Sequence, residues 1–563
     1  MLHSGLYGQS FLRVEGQKIV DSTGSNVLLR GMGLGGWLLQ EGYMFQVPGP
    51  GQQYKIKASI AKDLGEEKTE EFYRKWIQLH TRKADIDSLA NWGFNSVRVP
   101  LHFRLFTLSI QEEPVKGKNT WLPEGFTLLD ELVEWCRQNN IYLILDLHAA
   151  PGGQGHDLNI SDRNPNLPSL WESVENQEKT IALWEEFAKR YKDEPVIGGY
   201  DILNETNWGF TDEKDLIGNR EKENKPLRDL FYNITQAIRK HDNKHIIILE
   251  GNAFGNNYQG IDPTWDNNMV LSFHKYGNFA DISSIQTFLD LRERYNIPIW
   301  LGESGENSNN WYRNVIKLME ENNIGWAWWP AKKMGVNNPQ EVRVPTHYNR
   351  LLESWVTGQD HGLSTEEVTR IWDTVLENLK IENNIIHYDV LDAMFRQISS
   401  DDAIPFKDHL LSDDMWVNAV DYDLGRNEVA YSDRDTASYH YVPGVITQGN
   451  RGRVYRNDGV DILKDSTGYY ISHTEDGEWL QFTIRNPHAG EYEIRVEGRN
   501  LSDQVGELAI TTESQNLTSI IKSNPNWLEI PVGVLKLPVG RVPIKVKFLK
   551  AGFEIKTLRF IKK

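Results

Sequence analysis

"GGYDILNETNWGF", Gly198 to Phe210, runs from an apolar segment of strand character into an Asn-Glu pair and then into aromatic loop residues. An apolar run closing on a carboxylate reads as a buried strand that delivers Glu205 to the end of a sheet, either as a catalytic group or as a satisfied polar terminus. Seven further segments of this kind occur in the first 330 residues: "VLLRGMGLGG" (27–36), "NSVRVP" (95–100), "YLILDLH" (142–148), "HIIILEG" (245–251), "MVLSFHKY" (269–276), "PIWLGES" (298–304) and "GWAWWP" (325–330). With "IGGYDILNE" (197–205) they make eight. Between most of them lie stretches of helical period, such as "EGFTLLDELVEWCRQNN" (124–140), "TIALWEEFAKRYKD" (180–193) and "PLRDLFYNITQAIRKHD" (226–242). Eight strands alternating with helices predict an α/β fold, a (β/α)8 TIM barrel. The rival, a doubly wound open sheet, lacks a GxGxxG after its first strand.

Residues 331–398 read as a loop excursion followed by the last barrel helices, "STEEVTRIWDTVLENLKI" and "VLDAMFRQI". From Trp416 the helical period disappears, and short alternating segments such as "EWLQFTI", "GEYEIRVEG" and "RVPIKVKFL" follow one another between Gly, Asn and Pro turns. That pattern predicts a C-terminal all-β sandwich of jelly-roll type. The domains expected are 1–405 and 412–563, and the absence of a low-complexity linker predicts a tight join.

Composition narrows the function. A formal charge of -18 over 563 residues disfavours nucleic acid and anionic membrane surfaces as partners, since both require clustered Lys and Arg. A neutral substrate fits better. The single cysteine, Cys136, excludes an intramolecular disulfide. No apolar run reaches 18 residues, and "MLHSGLYGQSFLRV" lacks the basic-then-apolar pattern of a leader, which would have been removed if the protein is exported. No membrane association, no cofactor and a monomer are expected.

In a (β/α)8 barrel the working residues sit at the C-terminal ends of the strands. Here those ends carry Arg98, His148, Asn204 with Glu205, His274 with Tyr276, Glu303 and Trp329. Any one of these could be a structural group, but two carboxylates on different strands are what glycoside hydrolysis needs, one protonated and one ionised. A zinc hydrolase barrel would show an HxH pair at its first strand, and "LRGMGLGG" has no histidine, so no metal is expected. The Asn-Glu pair alone is weak, because it recurs at Asn427-Glu428 outside any barrel strand.

These residues resemble glycoside hydrolase family 5 over about residues 10–398. The resemblance implies Glu205 as acid/base and Glu303, in "WLGESG", as nucleophile of a retaining β-glycosidase. Glu306, just beyond, is the rival for the second role. Arg98 and Tyr276 would hold Glu303 ionised and oriented, Asn204 would bind the sugar 2-OH, and His274 would support the acid/base. His148 would floor the subsite, Trp329 would be a stacking platform and Trp208 would line the cleft. "LRGMGLGGWLLQEG" and "DLHAAPGGQ" are similar to members acting on β-1,3-glucans, which implies a β-glucan substrate and a secreted or periplasmic enzyme. A β-mannanase or another β-glycanase would share the pair, and a non-catalytic carbohydrate-binding protein is the alternative from another class.

Residues from about 412 resemble family 6 carbohydrate-binding modules in "VNAVDYDLGRNEVAYSD", "GRVYRNDGVDI" and "GEWLQFTI". The resemblance implies that Tyr455 and Trp527 sandwich a sugar, with Trp479 read as core. Val420 and Lys556 stand where such modules place calcium ligands, so no calcium is expected there. Glu554 replaces the usual sugar-contacting asparagine.

Overall fold

The computed structural model describes residues 9–49, 51–437 and 448–563. Eight parallel strands close a barrel: β1 (Arg30–Gly33), β2 (Ser96–His102), β3 (Tyr142–Ala149), β4 (Ile197–Asp201), β5 (Ile246–Glu250), β6 (Met269–Lys275), β7 (Ile299–Gly305) and β8 (Gly325–Trp329), with β8 pairing back onto β1. Strands covered on both faces need apolar residues at almost every position, which is why they stand out as continuous runs rather than alternating ones. From β2 to β8 every strand residue but Tyr142 is buried.

The outer helices bury one stripe each. In Lys225–Arg239 the buried set is Leu227, Leu230, Phe231, Ile234, Thr235, Ala237 and Ile238, the spacing of a single helical face, and a proline sits in its first turn. A hairpin of Arg13–Glu15 and Lys18–Val20 lies at the N-terminal end of the barrel, where Leu12 and Ile19 pack with Ile144, Ile246, Val270 and Trp300. The opposite end stays open for the site.

Two expectations shift. The fourth strand ends its ladder at Asp201, although Ile202 and Asn204 still donate backbone N–H bonds to Ile248 and Leu147 on either side (3.2 and 3.1 Å). Glu205 therefore stands on an irregular extension, with φ +36°. In the 331–398 segment, Thr365–Asn378 is not an outer barrel helix. It packs with Gln53–Leu64 and Glu66–His80 around Phe72, Trp76, Tyr348 and Trp372, a second core that also holds Trp329. Tyr388–Met394 and Arg396–Ser399 return to the barrel, against Asn309–Glu321.

The C-terminal domain is a β-sandwich. One sheet runs His409–Leu410, Trp479–Asn486, Gly540–Lys550, Gly506–Thr511, Asn516–Ile521, and the other Ile462–Asp465, Gly468–Ile471, Glu554–Lys562, Gly490–Asn500, Asn524–Leu537. Trp479 is not core: Leu480, Phe482 and Ile484 face inward, and Trp479 is half-buried with Lys545 Nζ 3.7 Å from its ring centre. A strand's pleat sends neighbours to opposite faces, so the inward set fixes the outward one. Val420 belongs to the sandwich core.

Candidate active site

Arg98, on β2 and 1% exposed, is the centre of the site. Its Nε donates to Asp201 (2.9 Å), Nη1 to Glu303 Oε2 (2.8 Å) and Nη2 to both Asn204 Oδ1 and Glu250 Oε1 (2.8 Å each), with Asp146 3.2 Å from Nη1. A buried guanidinium is tolerated only with such partners. Burial, and then the charge of Glu250, raises the pKa of Asp201 well above the carboxylate range, which favours its neutral form.

Glu303 lies two residues before the end of β7, with one oxygen on Arg98 and the other accepting from the Tyr276 hydroxyl at 2.8 Å. Tyr276 remains a phenol, because burial and the Glu303 charge both push its pKa well above 10. Glu205 faces it from the irregular extension beyond β4. Its Oε1 lies 2.6 Å from His274 Nδ1, and its backbone N–H donates to Glu250 Oε2 at 2.7 Å. One carboxylate oxygen of each glutamate and a ring nitrogen of His274 all lie within 4.8 Å of one another. A positive φ in a residue with a side chain costs free energy and persists where the surroundings impose it, and here the Glu250 bond does so.

His148 donates from Nδ1 to Asp146 (2.7 Å), accepts at Nε2 from Asn204 Nδ2 (3.2 Å), and stacks on Trp329 with centroids 5.1 Å apart and planes 7° from parallel. Asn204 is fully buried, its amide held between Arg98 and His148. Trp329 Nε1 donates to Tyr43 Oη at 3.0 Å. Glu306 points elsewhere, 2.5 Å from Lys333 Nζ.

The barrel residues named from the sequence thus form one connected set, apart from Trp208. Its ring is stacked on His156 at 3.9 Å, with the Arg163 guanidinium 4.9 Å from its centre. Four carboxylates join the site without having been singled out: Asp146 and Asp201 against Arg98, and Glu250 and Glu41. Glu250 closes β5 at the same position on the barrel as the others; burial pushes its pKa up, but the charges of His274 and Arg98 and the Glu205 N–H outweigh this and hold it at about 2. Glu41, in the loop after β1, sits 3.8 Å from His148 Nε2, and burial followed by the charges of Glu303 and Glu205 raises its pKa well above 4.5.

The Glu205, His274, Glu303 cluster has the spacing of a metal site, but His274 has no lone pair to give. Its Nε2 lies 3.2 Å from Glu250 and its Nδ1 meets Glu205. Burial disfavours its charge, yet Glu250, Glu303 and Glu205 together raise its pKa well above 6.5.

In the sandwich, Tyr455 packs on Tyr469 (4.8 Å) and gives its hydroxyl to Asp421, whereas Trp527 packs on Tyr470 (5.2 Å) under the Arg499 guanidinium (4.3 Å). Tyr469 and Tyr470 are successive strand residues and point to opposite faces. The two aromatics therefore do not oppose each other across one sugar. Glu554 is taken up by Ser472 and Arg499.

A closed (β/α)8 barrel with two facing carboxylates at its C-terminal end defines the class, a glycosidase barrel. Residues 58–335 match the family model described as Cellulase (glycosyl hydrolase family 5), so the barrel carries a domain of that family. The chain is 27% identical over 433 residues to a β-xylosidase of Phanerodontia chrysosporium, covering 69% of this chain and 86% of the relative. It is 24% identical over 323 residues to endoglucanase C of Acetivibrio thermocellus, covering 49% of this chain and 90% of that one. It is 25% identical over 273 residues to a glucan 1,3-β-glucosidase of Blumeria graminis, covering 46% and 57%. A solved β-glucanase from Saccharophagus degradans superposes with a TM-score of 0.39 at 18% identity, over 57% of this chain and 84% of that structure.

Proposed function

We propose that the protein is a retaining glycoside hydrolase acting on β-glucan by double displacement, with Glu303 as nucleophile and Glu205 as acid/base. The observation that carries this reading is the separation of the two carboxylates, whose nearest oxygens lie within 4.8 Å. Retaining enzymes hold their carboxyl groups about 5–5.5 Å apart, whereas inversion requires roughly 6.5–9.5 Å to admit a water. Glu303, oriented by Arg98 and Tyr276, attacks the anomeric carbon while Glu205 protonates the departing oxygen. Glu205 then takes a proton from the water that releases the sugar. Asn204 would bind the sugar 2-OH through its second amide hydrogen, and Trp329 would give the ring an apolar face.

The substrate is read as a neutral polysaccharide met outside the cytoplasm, where such polymers occur, and the enzyme as a monomer. The sandwich would position the polymer, with Tyr455 and Trp527 as separate contacts. A β-xyloside is the second reading, favoured because the β-xylosidase relative aligns with 69% of this chain.

Glu205→Ala and Glu303→Ala are tested against the wild type on laminarin, barley glucan, cellulose and aryl β-glucosides and β-xylosides. Each is expected to lose more than about 10³-fold in kcat on the substrate that the wild type cleaves. Azide should rescue Glu205→Ala with a β-glycosyl azide and Glu303→Ala with an α-glycosyl azide. Unchanged rates in both variants, or an α-configured first product from wild type, would overturn the proposal.

A further inference from the structure

Glu303 is followed by Ser304-Gly305-Glu306-Asn307-Ser308-Asn309, and the last three of these are bound by the C-terminal domain. Asn457 Nδ2 donates to the Asn307 carbonyl (2.9 Å) and to Asn309 Oδ1 (3.0 Å), and the Asn457 carbonyl accepts from the Asn309 N–H (2.8 Å). Asn309 Nδ2 reaches Asp458 Oδ1 (3.1 Å) and Asp389 Oδ2 (2.8 Å), and Ser308 Oγ donates to the Thr436 carbonyl. Asn307, Asn309, Asn457, Asp458 and Asp389 are all buried. Asp458 is fixed from behind by Arg456 (2.6 Å) and the Tyr422 hydroxyl (3.0 Å). Such a set has little freedom to rearrange, since each buried polar group that loses its partner is costly.

The same short segment carries the catalytic geometry forward. Ser308 caps the helix Asn309–Glu321, whose Trp311 Nε1 donates to the Asn278 carbonyl at 2.8 Å. Asn278 lies two residues beyond Tyr276, the donor to Glu303. The Asn307 N–H meets the Tyr312 hydroxyl at 3.3 Å. The strand end holding the nucleophile and the loop holding its tyrosine therefore hang from one helix start, and that start is pinned by the sandwich.

We infer that Asn457 is a positioning residue for the reaction, acting through Asn307 and Asn309 on Glu303 and Tyr276, so that the sandwich domain governs bond cleavage itself and not only polymer placement. The inference rests on the hydrolytic reading above. A small misplacement of a reacting group costs rate without altering how strongly a substrate is held elsewhere. Its signature is a loss in kcat on a substrate too small to touch the sandwich.

The test uses the full chain and whichever 4-nitrophenyl β-glycoside the wild type cleaves. Asn457→Ala is expected to lower kcat roughly tenfold with KM little changed. Rates are taken per active centre, titrated with a 2-deoxy-2-fluoro glycoside. Val496→Ala, in the sandwich core, is expected to lower the unfolding temperature and to keep wild-type kcat per titrated centre. If Asn457→Ala does not fold, Asn457→Ser, too short to reach Asn307, carries the same expectation. Wild-type kcat per titrated centre in the folded Asn457 variant overturns the inference, as does an equal loss in Val496→Ala. A wild type that cleaves no β-glycoside, or that is matched by Glu303→Ala, removes the hydrolytic reading instead.

Discussion

Glu250 accepts from Arg98 and from the Glu205 N–H and lies 3.2 Å from His274, so a single buried carboxylate touches the supports of both proposed catalytic groups. Glu250→Gln keeps the shape and removes the charge. Among the groups that keep His274 protonated against burial, Glu250 contributes most, so the His274 pKa should fall in the variant. A histidine whose folded pKa is raised contributes stability that is complete below about pH 6.5 and is lost as pH rises through the folded value. In Glu250→Gln that contribution should be smaller and its loss complete at lower pH, and the alkaline limb of kcat should move down with it. Unfolding temperature and kcat measured across pH 5–10 check both; coincident profiles for the two proteins would refute the assignment. The positional rule that selects Glu205 and Glu303 from the sequence also fits Glu250, at the end of "HIIILEG", but the demand for two carboxylates passes over a third. Glu41 is harder to read, because it lies in a loop with no period to place it.

At the scale of elements, the glycines of "RGMGLGG" make sense only beside β8. A Cβ on Gly33 would stand 2.2 Å from Trp329 Cε3, and one on Gly35 2.8 Å from Cζ2. The first strand is thus stripped of side chains where the Trp329 ring crosses it, and the ring in turn meets His148. Gly33→Ala should cost about 1–3 kcal/mol through overpacking and raise KM as the ring shifts, measured by thermal unfolding and by kinetics on a small glycoside. An unchanged KM would mean that the ring does not contact the sugar. The eight strands are legible because doubly covered strands must be apolar throughout. Packing partners are less so: the period of "STEEVTRIWDTVLENLKI" says that a face is buried, not that it lies on Glu66–His80 rather than on the barrel. Likewise, Tyr455 and Trp527 carry the right ring types, but a single-residue step along Tyr469-Tyr470 sends their neighbours to opposite faces.

For the whole molecule, the join between barrel and sandwich is a buried polar seam rather than a linker, in keeping with the lack of low-complexity sequence near residue 405. Asp389 accepts from Asn309 Nδ2 and from the Asn457 N–H, both at 2.8 Å, so its removal strands one donor in each domain. Each stranded donor costs about 1–3 kcal/mol. The wild type should therefore unfold in one calorimetric transition, and Asp389→Ala in two. Charge adds a pH window. His387 lies 2.7 Å from Glu341 and 3.7 Å from Asp389; burial opposes its proton, but these two acids raise its pKa to about 9. Burial likewise opposes the Asp389 charge, yet His387 and then Arg456 hold its pKa well below the carboxylate range. Stability from the depressed acid is present above about pH 4, and that from the raised histidine is complete below about pH 6.5. The seam is accordingly strongest between those values and weakens as pH climbs through about 9. Calorimetry at pH 5.5 should give one peak for wild type, broadening or dividing near pH 10, whereas His387→Gln should remove the alkaline change; two peaks at pH 5.5 would show that the domains fold independently.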